Sequence, residues 1–96
     1  MNNTTHTPGP WYPHYAKADH CLSSSVWGKE PGNQVAVIGG KSLETMNANA
    51  ALIAAAPAMY EALQATLTYF MRSKQSHAPE VQMIRAALAQ AEGRDK

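Results

Sequence analysis

Ninety-six residues allow one domain around one core, and exclude a two-domain enzyme with a cleft between lobes. At 45% hydrophobic, 16% charged and net +1, the chain is too apolar for a wholly disordered protein. It is also too evenly charged for a basic protein held on phosphates or an acidic mimic of DNA.

Cys21 stands alone, so no internal disulfide staples the chain, and its N-terminus lacks an apolar signal-peptide core. The longest apolar stretch, Ala48 to Met59, is interrupted by Asn49 and Pro57 and is mostly alanine, far short of a membrane span. A cytoplasmic protein with no membrane partner is expected. Its single domain covers 1–96, with 1–6 and 94–96 as tails, 7–41 as a sheet half and 42–93 as a helical half. The first part holds five of six glycines, four of six prolines and both tryptophans, and the second is rich in Ala, Leu, Met, Glu and Gln.

Pro8, Gly9 and Pro10 restrict the chain to extended or turn conformations, which delivers Trp11 into a first strand near Trp11 to Tyr15. Cys21 to Trp27 alternates: Leu22, Ser24 and Val26 share one side of a strand, and Cys21, Ser23, Ser25 and Trp27 the other. Val35 to Ile38 reads as a third, shorter strand. Between the last two, Glu30-Pro31-Gly32-Asn33 places Pro and Gly at the central positions of a type II turn and predicts a hairpin.

Gly39 and Gly40 end the sheet, and Ser42 caps a helix whose apolar stripe is Leu43, Met46, Ala50, Ile53 and Ala54. Pro57 lacks the N–H that would bond four residues back, so a break near Ala55 is expected, with Pro57 in the first turn of a new helix. Met59, Leu63, Leu67 and Phe70 carry that helix's apolar face to Arg72. Pro79, with Glu80 behind it, opens a last helix with the stripe Val81, Ile84, Leu88 and Ala91, ending at Gly93. The fold class is therefore α+β: a small three-stranded antiparallel sheet followed by two or three helices packed on one face. Trp11 and Trp27 are expected at the sheet–helix junction, each burying about 150 to 250 Å².

Few constellations suggest chemistry. Val37-Ile38-Gly39-Gly40-Lys41-Ser42 resembles the end of a phosphate-binding loop, but the motif needs a Gly where Val35 stands. His14, Asp19, His20 and Cys21 are the one group of potential metal ligands, and neighbours His20 and Cys21 point to opposite sides of a strand, without a second Cys. No catalytic, cofactor-binding or metal-binding residue is assigned, and no enzymatic activity is expected. Tyr12 and His14 share one side of the first strand, opposite Trp11, Pro13 and Tyr15. With Lys17 and Lys29 they are the candidate protein-binding residues. The same aromatic run, with Tyr15 and Lys41, is the alternative: a nucleic-acid surface that stacks bases and contacts phosphates. The Ala- and Met-rich helices also suit pairing with a second copy or a partner helix.

Thr7-Pro8-Gly9-Pro10-Trp11, followed by Ala48-Asn49-Ala50-Ala51-Leu52-Ile53-Ala54-Ala55-Ala56-Pro57 and then Tyr60-Glu61-Ala62-Leu63, resembles a group of short proteins encoded by bacteriophages and prophages. These share a Thr-Pro-Gly-Pro-Trp opening and an Ala-Asn-Ala-x-Leu-Ile-Ala-Ala-Ala-Pro segment, and most have no assigned activity. The resemblance runs from His6 to Phe70, and Ala16 to Lys41 has no counterpart in it. It implies a non-enzymatic phage accessory protein acting inside a host bacterium, without a catalytic residue to carry over. Such proteins often act by stoichiometric binding to a host protein or ribonucleoprotein complex, so inhibition of an antiviral defence complex by occlusion, of the anti-CRISPR type, is the expected function. Asn49, a poor helix former within the alanine segment, is expected to hydrogen-bond at the sheet–helix junction.

Overall fold

The computed structural model describes residues 6–17, 23–30 and 32–93. Among them run β1 (Tyr12–His14), β2 (Ser24–Trp27), β3 (Gln34–Ile38), α1 (Leu43–Ala54), α2 (Ala56–Arg72) and α3 (Pro79–Ala91). The strands form one antiparallel sheet in the order β1-β2-β3, followed by the helices, and the class is α+β as expected. Asp19, His20, Cys21, Leu22 and Pro31 lie outside the described residues, as do the expected tail residues 1–5 and 94–96.

The β2–β3 hairpin closes where the turn residues predict. Asn33 N–H donates to the Glu30 carbonyl at 3.2 Å, and Gly32 takes φ +77°, the left-handed value that the third residue of a type II turn requires. Gly28 N–H then donates to the Asn33 carbonyl at 2.8 Å. Val26 pairs with Ala36 and Trp27 with Gln34, so Val35 is an extra residue on β3, a bulge that sharpens the local twist.

The chain divides into two compact units, residues 5–58 and residues 59 onward. The composition change near residue 42 separates strands from helices, whereas this division falls after Ala58 and leaves α1 with the sheet. In the sheet unit α1 contacts all three strands. Its core is Val26, Ile38 and Ala50, with Trp11, Val35, Ala36, Ile53 and Ala54 packed around it. Val26 is fully buried, worth about 1.5 to 3 kcal/mol of transfer free energy. Ser42 caps α1 as expected: its side chain accepts from Thr45 N–H at 3.1 Å. Gly40 lets the helix start close against the strand end, because a Cβ there would lie 2.8 Å from Met46 Cγ and 3.0 Å from its backbone nitrogen. Gly9 approaches Pro57 as closely; a Cβ on it would sit 2.6 Å from the Pro57 Cβ.

A polar knot joins sheet to helix, and its asparagine is Asn47 rather than the expected Asn49, which is exposed. Asn47 Oδ1 accepts from Ala16 N–H at 3.0 Å and from the Ser24 hydroxyl at 2.6 Å, while its Nδ2 donates to the Ala16 carbonyl at 3.0 Å. The reason is helical phase. Asn47 follows buried Met46 and precedes buried Ala50 by three residues, at the edge of the packed stripe, whereas Asn49 points outward.

Helix α1 ends at Ala54 and α2 begins at Ala56, so Pro57 falls in a first turn and the expected break is present. In the second unit Tyr60, Ile84 and Leu88 form a buried cluster with Leu63, Leu67 and Phe70 against it. The expected stripe is corrected at one position. Met59 is exposed and Tyr60 takes the buried place, its hydroxyl donating to the Glu92 carboxylate. After α2, Lys74 adopts φ +63° and Gln75 N–H donates to the Phe70 carbonyl at 3.0 Å, a left-handed helix stop built on lysine. Pro79 opens α3 at its first position, as its fixed φ favours.

Candidate functional site

Strand alternation makes one side of the sheet a surface. Ser24 and Val26 of β2 are buried toward α1, so Ser25 and Trp27 project from the opposite side. The register sets Tyr12 opposite Trp27 and His14 opposite Ser25 on one flank, and Val37 opposite Ser25 and Gln34 opposite Trp27 on the other. Among the described residues of the strands, Tyr12, His14, Ser25, Trp27, Gln34 and Val37 thus line the outer face. Tyr12 is 48% exposed and Val37 61%, values that mark an uncovered surface.

Two contacts fix this face. The His14 imidazole stacks on the Trp27 indole at 5.7 Å between centroids and 29° between planes, a diagonal cross-strand pair. Trp27 Nε1–H donates to the Ser25 hydroxyl at 2.8 Å, which satisfies the ring's one polar atom and holds it over the strand. The expectation that Trp27 packs at the sheet–helix junction is therefore corrected, because the alternation that buries Val26 turns its neighbour outward. Trp11 does pack against the core cluster, half-buried, with Nε1–H donating to the Thr7 carbonyl at 3.0 Å.

Of the expected binding residues, Tyr12 and His14 come together on this face. Lys17 and Lys29 are both exposed but stand at opposite ends of the β1–β2 pairing, since Lys17 follows His14 and Lys29 lies beyond Trp27, Tyr12's partner. Tyr15 is 46% exposed past the end of β1. Ser25 and Val37 join Trp27 as residues of this face that were not among the expected binding residues. The signal was the same alternation that set Ser25 and Trp27 opposite Val26.

Among the described residues the outer face carries an imidazole, a phenol, an indole, a hydroxyl, an amide and an isopropyl group, without a carboxylate or thiol. That set supports stacking and apolar contact. Among the described residues no three His, Cys, Asp or Glu side chains converge to hold a metal ion. Asp19, His20 and Cys21 lie outside the described residues, apart from His14 of the same group. The Gly39-Gly40-Lys41-Ser42 segment is a strand-to-helix turn in which the Ser42 hydroxyl also donates to Thr45 Oγ1 at 3.0 Å. No single helix among the described residues is long and apolar enough to cross a membrane.

Gly9 and Pro57, which meet in the sheet unit, belong to the two segments that carry the resemblance to phage proteins. Residues 1–95 match the model of a family described as Salmonella phage P22 protein Y8K6. No curated protein and no solved structure matches the chain. With all but its last residue covered by that match, the chain belongs to the Salmonella phage P22 protein Y8K6 family and is a small phage-encoded protein.

Proposed function

We propose that this phage accessory protein is not an enzyme and acts by stoichiometric binding in the host cytoplasm. Its outer sheet face docks on a host protein or ribonucleoprotein complex and blocks it, as an anti-CRISPR inhibitor of antiviral defence does. The observation that carries this reading is the stacked His14–Trp27 pair beside exposed Tyr12 and Val37, on a sheet whose other side is packed against α1. Large aromatic side chains held in place lose little conformational freedom on binding, and such residues dominate protein interfaces. The nucleic-acid alternative draws on the same aromatic surfaces, but a strand of phosphates needs a continuous cationic track. Lys17 and Lys29, at opposite ends of the pairing, do not supply one.

The test is phage challenge of a host with an active CRISPR system. Expression of the protein should raise plating of a targeted phage, and Val37→Arg and Trp27→Ala should abolish the effect while leaving the fold intact by circular dichroism. A tagged-protein pull-down, with and without nuclease, should retain its host partner after nuclease treatment and lose it with Val37→Arg. Recovery of nucleic acid alone, released by nuclease or moderate salt, refutes the reading. So does catalytic turnover by purified protein.

A further inference from the structure

The two edges of the sheet are built differently. β1 runs along one edge and β3 along the other, with β2 between them. In an antiparallel ladder, opposite residues alternate between pairs that exchange two backbone hydrogen bonds and pairs that exchange none. Pro13 has no N–H to give, so its pair with Val26 is of the second kind, and the bare proline nitrogen faces the outside of β1. Val26 therefore turns its N–H and carbonyl toward β3 and bonds Ala36, which makes the next pair, Ser25 with Val37, an unbonded one. The N–H and carbonyl of Val37 consequently point away from β2, out of the free side of β3. The far end of the hairpin agrees. Gly28 N–H donates to the Asn33 carbonyl, so the following pair, Trp27 with Gln34, is unbonded and Gln34 also presents its backbone outward.

The edge of β3 lacks the usual guards. Gln34 to Gly40 contain neither a charged side chain nor a proline, the residues with which proteins commonly protect an open edge. The bulge at Val35 disturbs only the start of the strand, and pairing is regular from Ala36 to Ile38. Among the described residues no turn, loop or side-chain hydrogen bond reaches the backbone of Gln34 to Ile38. Gly39 extends the open run. Its φ is not positive, unlike those of Gly32 and Gly93, and a Cβ on it would meet nothing within 4 Å. The fold itself has no need of glycine there, and a strand end kept bare in this way lets a second backbone pass close.

We propose that β3 is a strand-addition site, along which an extended, uncharged segment of the host partner lies as a fourth strand. The occupant follows from the chemistry of the edge. A row of unpaired N–H and carbonyl groups is matched in spacing by another extended backbone. Specificity then falls to alternate side chains of the added strand, which continue the outer face beside exposed Val37. The inference rests on the docking reading above for a protein as the partner, and adds the conformation in which that partner binds.

Peptides of about twelve residues, selected from a random library against the full chain, are the probe. Those recovered should share a stretch of about four or five residues of alternating β-branched or aromatic character, without proline. In fluorescence polarisation titrations, N-methylation of a selected peptide at every second residue should weaken binding at least about 10-fold, and methylation of the residues between should leave it unchanged. Val37→Pro removes an outward donor and no ladder bond, and should weaken the peptide to the same degree, whereas Val37→Thr, which keeps the N–H, should bind as wild type. Should Val37→Pro lose the fold, the methylation series on the wild-type chain decides alone. A library that yields no binder overturns the proposal, as does a methylation series without the two-residue period or a folded Val37→Pro that binds as wild type. Doubling of the chain's own mass in sedimentation, abolished by Val37→Pro, overturns it too, because a second copy then holds the edge. Failure of the docking reading shows separately, as phage protection indifferent to Trp27→Ala while the peptide still adds to β3; that result supports the edge and removes the defence complex.

Discussion

Asn47→Ala tests the junction between sheet and helix. The substitution deletes three hydrogen bonds at once: the Ala16 N–H and Ser24 hydroxyl lose Oδ1, and the Ala16 carbonyl loses Nδ2. Ala16 N–H keeps a partner in Ser24 Oγ at 3.2 Å, but the Ser24 hydroxyl proton is stranded on a side chain only 1% exposed. At about 1 kcal/mol net per bond, less the part Ser24 retains, the loss is about 2 to 3 kcal/mol. Both tryptophans lie in the sheet unit, so urea unfolding followed by tryptophan fluorescence is read from probes within this unit. With a slope of about 1 kcal/mol/M, the midpoint should fall by about 2 M. Asn49→Ala is the matched control: an exposed position in the same helix, where alanine's better propensity changes stability by no more than about 0.5 kcal/mol. In a double-mutant cycle, Ser24→Ala on top of Asn47→Ala should cost less than the two singles summed, because the stranded hydroxyl is gone. A midpoint for Asn47→Ala within error of wild type, or an equal loss from Asn49→Ala, would refute the assignment.

Three further substitutions probe other parts of the structure. Gly9→Ala forces a Cβ to 2.6 Å from Pro57 and should destabilise the sheet unit by about 1 to 3 kcal/mol, read by the same fluorescence titration. Leu63→Asp puts a carboxylate against the Tyr60, Ile84 and Leu88 cluster, and should cost about 3 kcal/mol or more, seen as loss of far-ultraviolet helical signal at lower urea than wild type. Lys74→Gly relieves a left-handed backbone on a residue with a Cβ and should stabilise by about 1 kcal/mol, raising the melting temperature followed at the helical signal.

Features with a strong local cause were the legible ones. Pro57 and Pro79 set helix starts because proline costs a helix least in its first turn, and Gly32 marks the hairpin because a positive φ costs glycine least. The alternation of Ser24 to Trp27 is also readable, although the bulk of Trp27 favours the core against its own phase. Poor propensity singles out Asn49, whereas what matters at a junction is the angle around the helix, and that selects Asn47. Met59 and Tyr60 flank the Leu63, Leu67 and Phe70 stripe, each about 50° from its middle, so an apolar pattern does not choose between them when both side chains are large. The change from strands to helices showed in composition at residue 42, but the division into compact units depends on which helix covers the sheet, and composition does not encode that. For the site, Tyr12 and His14 followed from strand phase. Their alliance with Trp27 required the register, which pairs residues 12 and 27 across a hairpin whose turn geometry the sequence leaves unspecified.

The contiguity of the sheet unit has a consequence during synthesis. Every residue of its core, from Trp11 to Ala54, and the Gly9–Pro57 clasp that shuts it, precede the last 38 residues of the chain. At about 5 to 20 residues per second, a ribosome needs roughly 2 to 8 seconds to add 38 residues. Small domains with short-range pairings fold within that interval. The amino-terminal half therefore has time to close before the carboxy-terminal hairpin has left the translation machinery, so the nascent apolar strands need not wait for the helices to find shelter.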